Sequence, residues 1–174
     1  TGPVAVTNGT LLTSGEAALG DAVAELTIHP SGVLDIGGAT ASDAIKIVKP
    51  VTVAGTVGHF STRNQSHAFG GRVTVAAGAR FTGSGRFDIR NGTLDLGGHM
   101  VTKTGTNSVQ IVGVTAVTNE PSGTAFSVQA GELLFADSVT FSGSSASAVE
   151  VASAARLAVY LLVNPIPYSV RAAA

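Results

Sequence analysis

Two aspartates raise the question of chemistry first. Asp35 sits in Leu34-Asp35-Ile36-Gly37-Gly38, and Asp95 sits 60 residues later in Leu94-Asp95-Leu96-Gly97-Gly98. Alternation of apolar and polar neighbours turns both carboxylates outward, at the same place in what reads as one repeat. A carboxylate pair of this kind is the equipment for acid–base cleavage of a glycan, which wants carboxyls roughly 5 to 9.5 Å apart. Sixty residues is two or three stacked units, or ~10 to 14 Å at ~4.8 Å per strand. That separation is too long for a close pair, and the competing reading is two solvated residues beside glycine corners.

The best binding candidate is the polar stretch His59-Phe-Ser-Thr-Arg63-Asn64-Gln65-Ser-His67-Ala-Phe-Gly-Gly-Arg72. Its candidate ligand-binding residues are His59, Arg63, Asn64, Gln65, His67 and Arg72. Arg63, Asn64, Gln65 and His67 suit hydrogen bonds to sugar hydroxyls, with Phe60 or Phe69 as a stacking surface. Insertions on repeat folds map to loops on one face, often the binding face. The alternative is a solvated loop carrying two buried phenylalanines.

Other chemistry finds little support. His29, His59, His67 and His99 never fall two or four residues apart, so no local metal-ligand spacing exists, although His59 and His67 share one segment. Gly83-Ser-Gly-Arg-Phe-Asp88 is faintly similar to calcium-binding β-roll repeats, yet it occurs once and lacks the leading Gly-Gly. No phosphate loop, nucleophile elbow or Ser/His/Asp arrangement is present. We therefore expect no metal and no cofactor, and the balance leans against an enzyme.

The elements that carry these residues are short strands. Phe87-Asp-Ile-Arg-Asn-Gly-Thr-Leu-Asp-Leu-Gly-Gly98 is two apolar/polar alternations broken by Asn91-Gly92. Related units surround Gly9, Gly32, Gly55 and Gly78, each 23 residues from the last, and Ala130-Gly131 and Ala154 lie 23 apart again. Gly92 falls off this grid, which implies a register slip between 78 and 131. A fixed period of this size signals stacked supersecondary units. Hairpins would explain Asn-Gly, whose positions both take positive φ, but not Ala54-Gly55, Ala77-Gly78 and Ala130-Gly131. A solenoid corner with one demanding position accepts every pair. The inward positions are then Ile28, Leu34, Ile36, Val51, Val53, Val73, Val75, Phe87, Ile89, Leu94, Leu96, Val109, Ile111, Phe126, Val128, Leu133, Phe135, Val149, Val151 and Leu157.

Asn91-Gly-Thr-Leu-Asp-Leu-Gly-Gly-His-Met-Val-Thr-Lys-Thr-Gly105, with Phe126-Ser-Val-Gln-Ala-Gly-Glu-Leu-Leu-Phe135, resembles the repeat of β-helical passenger domains of bacterial autotransporters. The match covers residues 90 to 160, with weaker echoes upstream. The resemblance implies export, a place at the cell surface, and a structural or adhesive role. No stretch looks like the C-terminal translocation barrel of that family.

Length and composition agree with one domain over 1–174. Charged residues make up 12% of the chain, about half the usual share, and glycine accounts for 22 of 174 residues. A net charge of −1 gives no reason to expect nucleic acid or an anionic membrane. No apolar run approaches the ~20 residues that span a bilayer. Absent cysteine excludes disulfides and thiolate metal sites; it is compatible with the cytosol and also suits a bacterial protein exported unfolded. The start at Thr1-Gly2-Pro3, without methionine or signal peptide, suggests a processed or excised piece.

The expectation is an all-β, right-handed parallel β-helix (β-solenoid) of about seven coils. Residues 15–26 form a helical or irregular excursion, and 160–174 a capping or exit segment in which Pro165 and Pro167 leave the ladder. The expected function is a non-catalytic extracellular structural or adhesive segment of a larger surface protein. Its partner would be a cell-surface glycan or a neighbouring or host cell surface, and copies would associate end to end through Val4 and Val6. The rival is a carbohydrate-active β-helix: a lyase, hydrolase or tailspike-like depolymerase. An enzyme would gather several of Asp35, Asp88, Asp95, Arg63, Arg90 and Lys103 on one lateral face; a structural segment would scatter them.

Overall fold

Alternating small β-branched residues form short strands here, and most strands stop at a corner where a glycine or asparagine turns the chain. The computed structural model describes residues 2–37, 45–60, 67–144 and 146–173. The chain is a parallel β-solenoid of about seven turns. Strands β1 (Val4–Thr13) and β2 (Leu26–Ile36) each bend across two faces, and β3 (Lys46–Ile47) supplies the third. The next coils carry one strand per face. These are β4 (Val51–Val53), β5 (Thr56–His59) and β6 (His67–Phe69), then β7 (Arg72–Val75), β8 (Ala79–Gly83) and β9 (Phe87–Arg90). They continue with β10 (Thr93–Asp95), β11 (Val101–Lys103) and β12 (Ser108–Val112), then β13 (Ala116–Thr118), β14 (Thr124–Val128) and β15 (Gly131–Ala136). Strands β16 (Thr140–Phe141), β17 (Ala148–Val151) and β18 (Ala155–Tyr160) form the last full coil, and β19 (Ser169–Ala172) returns to the second face.

The first face runs β2-β4-β7-β10-β13-β16, the second β2-β5-β8-β11-β14-β17-β19, and the third β3-β6-β9-β12-β15-β18. Every strand pairing among the described residues is parallel. No described helix is long and apolar enough to cross a membrane.

The inward rows stack like on like, as in Leu34–Val57–Phe81 and Phe87–Val109–Leu133. All the expected inward positions are buried except Val151 and Leu157, which sit part-buried in the last coil. Phe69 is also core, edge-on to Phe87 at 6.2 Å, and is no stacking surface for a ligand.

The corners correct the repeat grid. Gly55 lies between the first and second faces, Gly131 between the second and third, and Gly92 between the third and first. No register slip is needed, because the chain uses glycine at three different corners. Asp35 and Asp95 are likewise not equivalent: Asp35 pairs with Gly58 on the second face, Asp95 with Thr74 and Thr118 on the first.

Close approach of successive coils decides most of these glycines. A side-chain carbon on Gly55 would lie 2.1 Å from the His29 carbonyl oxygen, and one on Gly92 would lie 2.2 Å from that of Gly71. At the third-to-first corner it is Asn91, at φ 58°, that takes the left-handed conformation. Its Oδ1 accepts the Val114 N–H at 3.0 Å, tying its corner to the next coil. Gly55→Ala should therefore cost about 2 kcal/mol, as overpacking does, with an unchanged slope in urea unfolding. A loss near zero would refute the close-approach explanation.

The ends of the core are closed by different means. In the first coil a 3-10 turn at Glu16–Leu19 stands in chain order where later coils carry a third-face strand. Leu19 joins the core, and Glu16 Oε1 accepts the Val48 and Lys49 N–H groups at 2.7 and 2.8 Å. The buried Lys49 ammonium donates to the Leu19 carbonyl. At the other end Leu162, Ile166 and Tyr168 cover the core, whereas Val159 to Leu161 and Val163 are exposed. Tyr168 packs on Phe141 and Phe126 at 5.2 and 6.1 Å and donates to Glu120 Oε1 at 2.7 Å. Val6 is buried and Val4 packs against the core, so lysines there would put charge into the core instead of blocking an edge.

Candidate functional site

His59 and His67 end and begin strands on either side of the second-to-third corner, and alternation turns both inward beside Val57 and Phe69. The structure brings their rings together at 4.4 Å, edge to face, fully buried. His67 Nδ1 accepts the Ile45 N–H at 2.9 Å, which fixes that nitrogen as unprotonated and the ring as neutral. His59 Nδ1 faces the Arg86 carbonyl at 3.0 Å, an acceptor to which a proton on that nitrogen is donated. Neither Nε2 has a hydrogen-bond partner among the described residues. Burial, with His59 beside it, pushes the His67 imidazole down to about 4.

The other expected ligand-binding residues are placed elsewhere. Arg63, Asn64 and Gln65 lie outside the described residues. Arg72 stands on the first face and is paired with Asp95. Asp95 is buried, contrary to the solvated position expected of it, because Arg72 and Asn119 cover it. Burial opposes its charge, but hydrogen bonds from Asn119, Arg72 and the Gly97 N–H hold the carboxyl below its ordinary value.

Asp88 faces outward on β9 as its alternation requires, yet it is fully buried beneath its own neighbours. Arg86 grips both oxygens, Nε to Oδ1 and Nη2 to Oδ2, each at 2.8 Å, and Arg90 Nη2 meets Oδ2 at 2.8 Å. A carboxylate so occupied is not available to calcium. Among the described residues no group of three His, Cys, Asp or Glu side chains could hold a metal. Asp88→Asn should cost about 1–2 kcal/mol, since both arginines are part-exposed and can turn to water. Arg90→Ala should cost less, because Arg86 keeps both oxygens; equal losses in urea unfolding would contradict this division.

Lys103 carries chemistry that sequence reasoning assigned to the surface. Alternation with Val101 points it inward, in register with Phe81 and Val128. Its ammonium donates to the carbonyls of Thr104, Gly105 and Ala130 at 2.6, 3.0 and 3.0 Å, joining two coils. The signal was present in Val101-Thr102-Lys103, whose first and third residues share a face. Asn107, also buried near this corner, donates to the Thr82 and Gly85 carbonyls at 3.2 and 2.9 Å.

The ionisable groups are thus dispersed. Asp95 is on the first face, Asp35 on the second, Asp88 and Arg90 on the third, and Lys103 is inside. Comparison with protein-family models, curated proteins and solved structures found no match to the chain.

Proposed function

We propose that this chain is a non-catalytic structural or adhesive segment of a larger extracellular bacterial surface protein, of the autotransporter-passenger kind. The observation that carries this reading is the dispersal just described. Asp35, Asp88 and Asp95 sit on three different faces, and Asp88 and Asp95 are already bound by arginine. Glycoside hydrolysis by paired carboxylates needs two such groups converging on one bond. A stack of parallel coils supplies instead a long, stiff lateral surface, suited to spacing or to contact with a neighbouring cell's glycans.

The test is incubation with a panel of neutral and acidic polysaccharides, followed by assay for new reducing or unsaturated ends. The expected result is none with any polymer. Time-dependent release from one polymer would replace this reading with the carbohydrate-active one.

A further inference from the structure

We propose that Phe60, Asp35 and Thr82 form a stacking subsite for a neutral pyranose unit of a surface glycan, on the outer side of the second face. This rests on the adhesive half of the function proposed above. The row Asp35–Gly58–Thr82 runs up three successive coils in register. Gly58 offers no side chain, and the Phe60 ring fills the space: a carbon built on Gly58 would lie 2.7 Å from Phe60 Cε2. The Cε2–Cζ edge of the ring therefore lies over Gly58, in the row between an aspartate and a threonine. Phe60 is nonetheless 46% exposed, although most phenylalanines of this chain lie in the core.

The backbone that carries the ring is held before any ligand arrives. The Phe60 N–H donates to Asp35 Oδ1 at 3.2 Å, and its carbonyl accepts from Ser84 Oγ at 2.9 Å. A preorganised aromatic surface loses little conformational freedom on binding. The C–H face of a pyranose stacks on such a ring, and its hydroxyls need partners at the rim. Adjacent coils are ~4.8 Å apart, so Asp35 and Thr82, two coil steps apart across Gly58, stand ~10 Å from each other, room for one pyranose ring with a hydrogen bond at either rim. Asp35 accepts from hydroxyls, and Thr82 both donates and accepts. Burial raises the Asp35 carboxyl above its ordinary value, partly offset by the Phe60 N–H and by His59. The charge in this row is the Asp35 carboxylate, which disfavours uronates and sulfated sugars. Arg80 stands in the neighbouring row with Thr56 and Thr102.

The chain contains no tryptophan, so Phe60→Trp in the full chain makes a single, selectively excitable tryptophan reporter that preserves the stacking surface. Titration with β-1,4-glucotetraose, and with mannose- and galactose-based tetrasaccharides, should give a saturable blue shift with at least one of them. Adding Asp35→Asn should weaken that binding by about tenfold, the worth of one hydrogen bond, and tetragalacturonate should bind more weakly than the neutral sugar. Saturation-transfer NMR on the unsubstituted chain should show the same preference, with Phe60→Ala abolishing transfer; this arm covers a Phe60→Trp chain that folds poorly. No saturable response to any neutral sugar, or a preference for tetragalacturonate, would overturn the subsite. Release of reducing ends would refute the non-catalytic reading and leave the subsite standing. Retention on glycan-coated surfaces with a silent indole would refute the subsite alone.

Discussion

Lys103→Met is expected to lower the stability of the folded chain by about 3 kcal/mol near neutral pH, and to remove a rise in stability at alkaline pH. Methionine keeps the stem that packs between Phe81 and Val128 and takes away the ammonium. Three corner carbonyls, those of Thr104, Gly105 and Ala130, then lose a charge-assisted donor in a site that water does not reach. Each buried acceptor left without a partner costs roughly 1–3 kcal/mol. Against this stands the relief of no longer burying a charge, which is why the sum is not larger. The burial cost shows in the lysine itself: desolvation pushes its ammonium down to about 8, with Glu132 opposing. In the unfolded chain the proton stays on up to about 10.5. Between these values the unfolded state binds more protons, so stability rises with pH across that window. Urea unfolding of both chains from neutral to alkaline pH checks both parts. Equal stability at neutral pH would mean that the carbonyls find other donors. An alkaline rise surviving in Lys103→Met would assign it to another group.

The lateral alternation was legible because period two is rigidly enforced when one side of every strand faces a core. Val51 and Val53, or Phe87 and Ile89, admit one orientation, and a 22-residue spacing then stacks them on Val73 and Val75, or Val109 and Ile111. The corners were less legible, for a physical reason. Gly55, Gly92 and Gly131 look alike in sequence, but they sit at three different corners of one coil, and most of them answer to the carbonyl of the preceding coil. Sequence distance along one coil cannot tell corner from corner when a strand on one face holds only two to six residues. The polar interior was misread for a different reason. His59, His67 and Lys103 obey the alternation and point inward, yet residue type argued for the surface. Asp88 shows the converse, outward by alternation and buried by two arginines two residues to either side. The subsite on the second face depends on Asp35, Gly58 and Thr82 from three coils, a juxtaposition that exists only once the register is fixed.

Acid should reveal the histidine pair, and His67→Asn should silence it. As pH falls past about 6.5 the unfolded chain protonates an ordinary imidazole, whereas folded His67 resists until about 4. The unfolded state binds the extra proton throughout that window, so stability is intact above 6.5 and is progressively lost down to 4. The full loss is about 3 kcal/mol, from the distance between the two values. Its structural cause is local: protonating Nδ1 breaks the bond from the Ile45 N–H and puts a cation against His59 in a dry corner. Asparagine places its Oδ1 where Nδ1 accepted, so the substitution keeps the Ile45 bond and removes the titration. Other groups act elsewhere or with the other sign. Asp95 and Glu120 are held below their ordinary values of 3.8 and 4.5, so their contributions disappear only at lower pH. Asp35 is raised and favours the folded chain as it takes up a proton, opposing the histidine. Unfolding free energies measured in urea between pH 7 and 4.5 should fall steeply for the unsubstituted chain and stay flat, or rise slightly, for His67→Asn. A slope that persists unchanged in the variant would show that the acid sensitivity lies outside this corner.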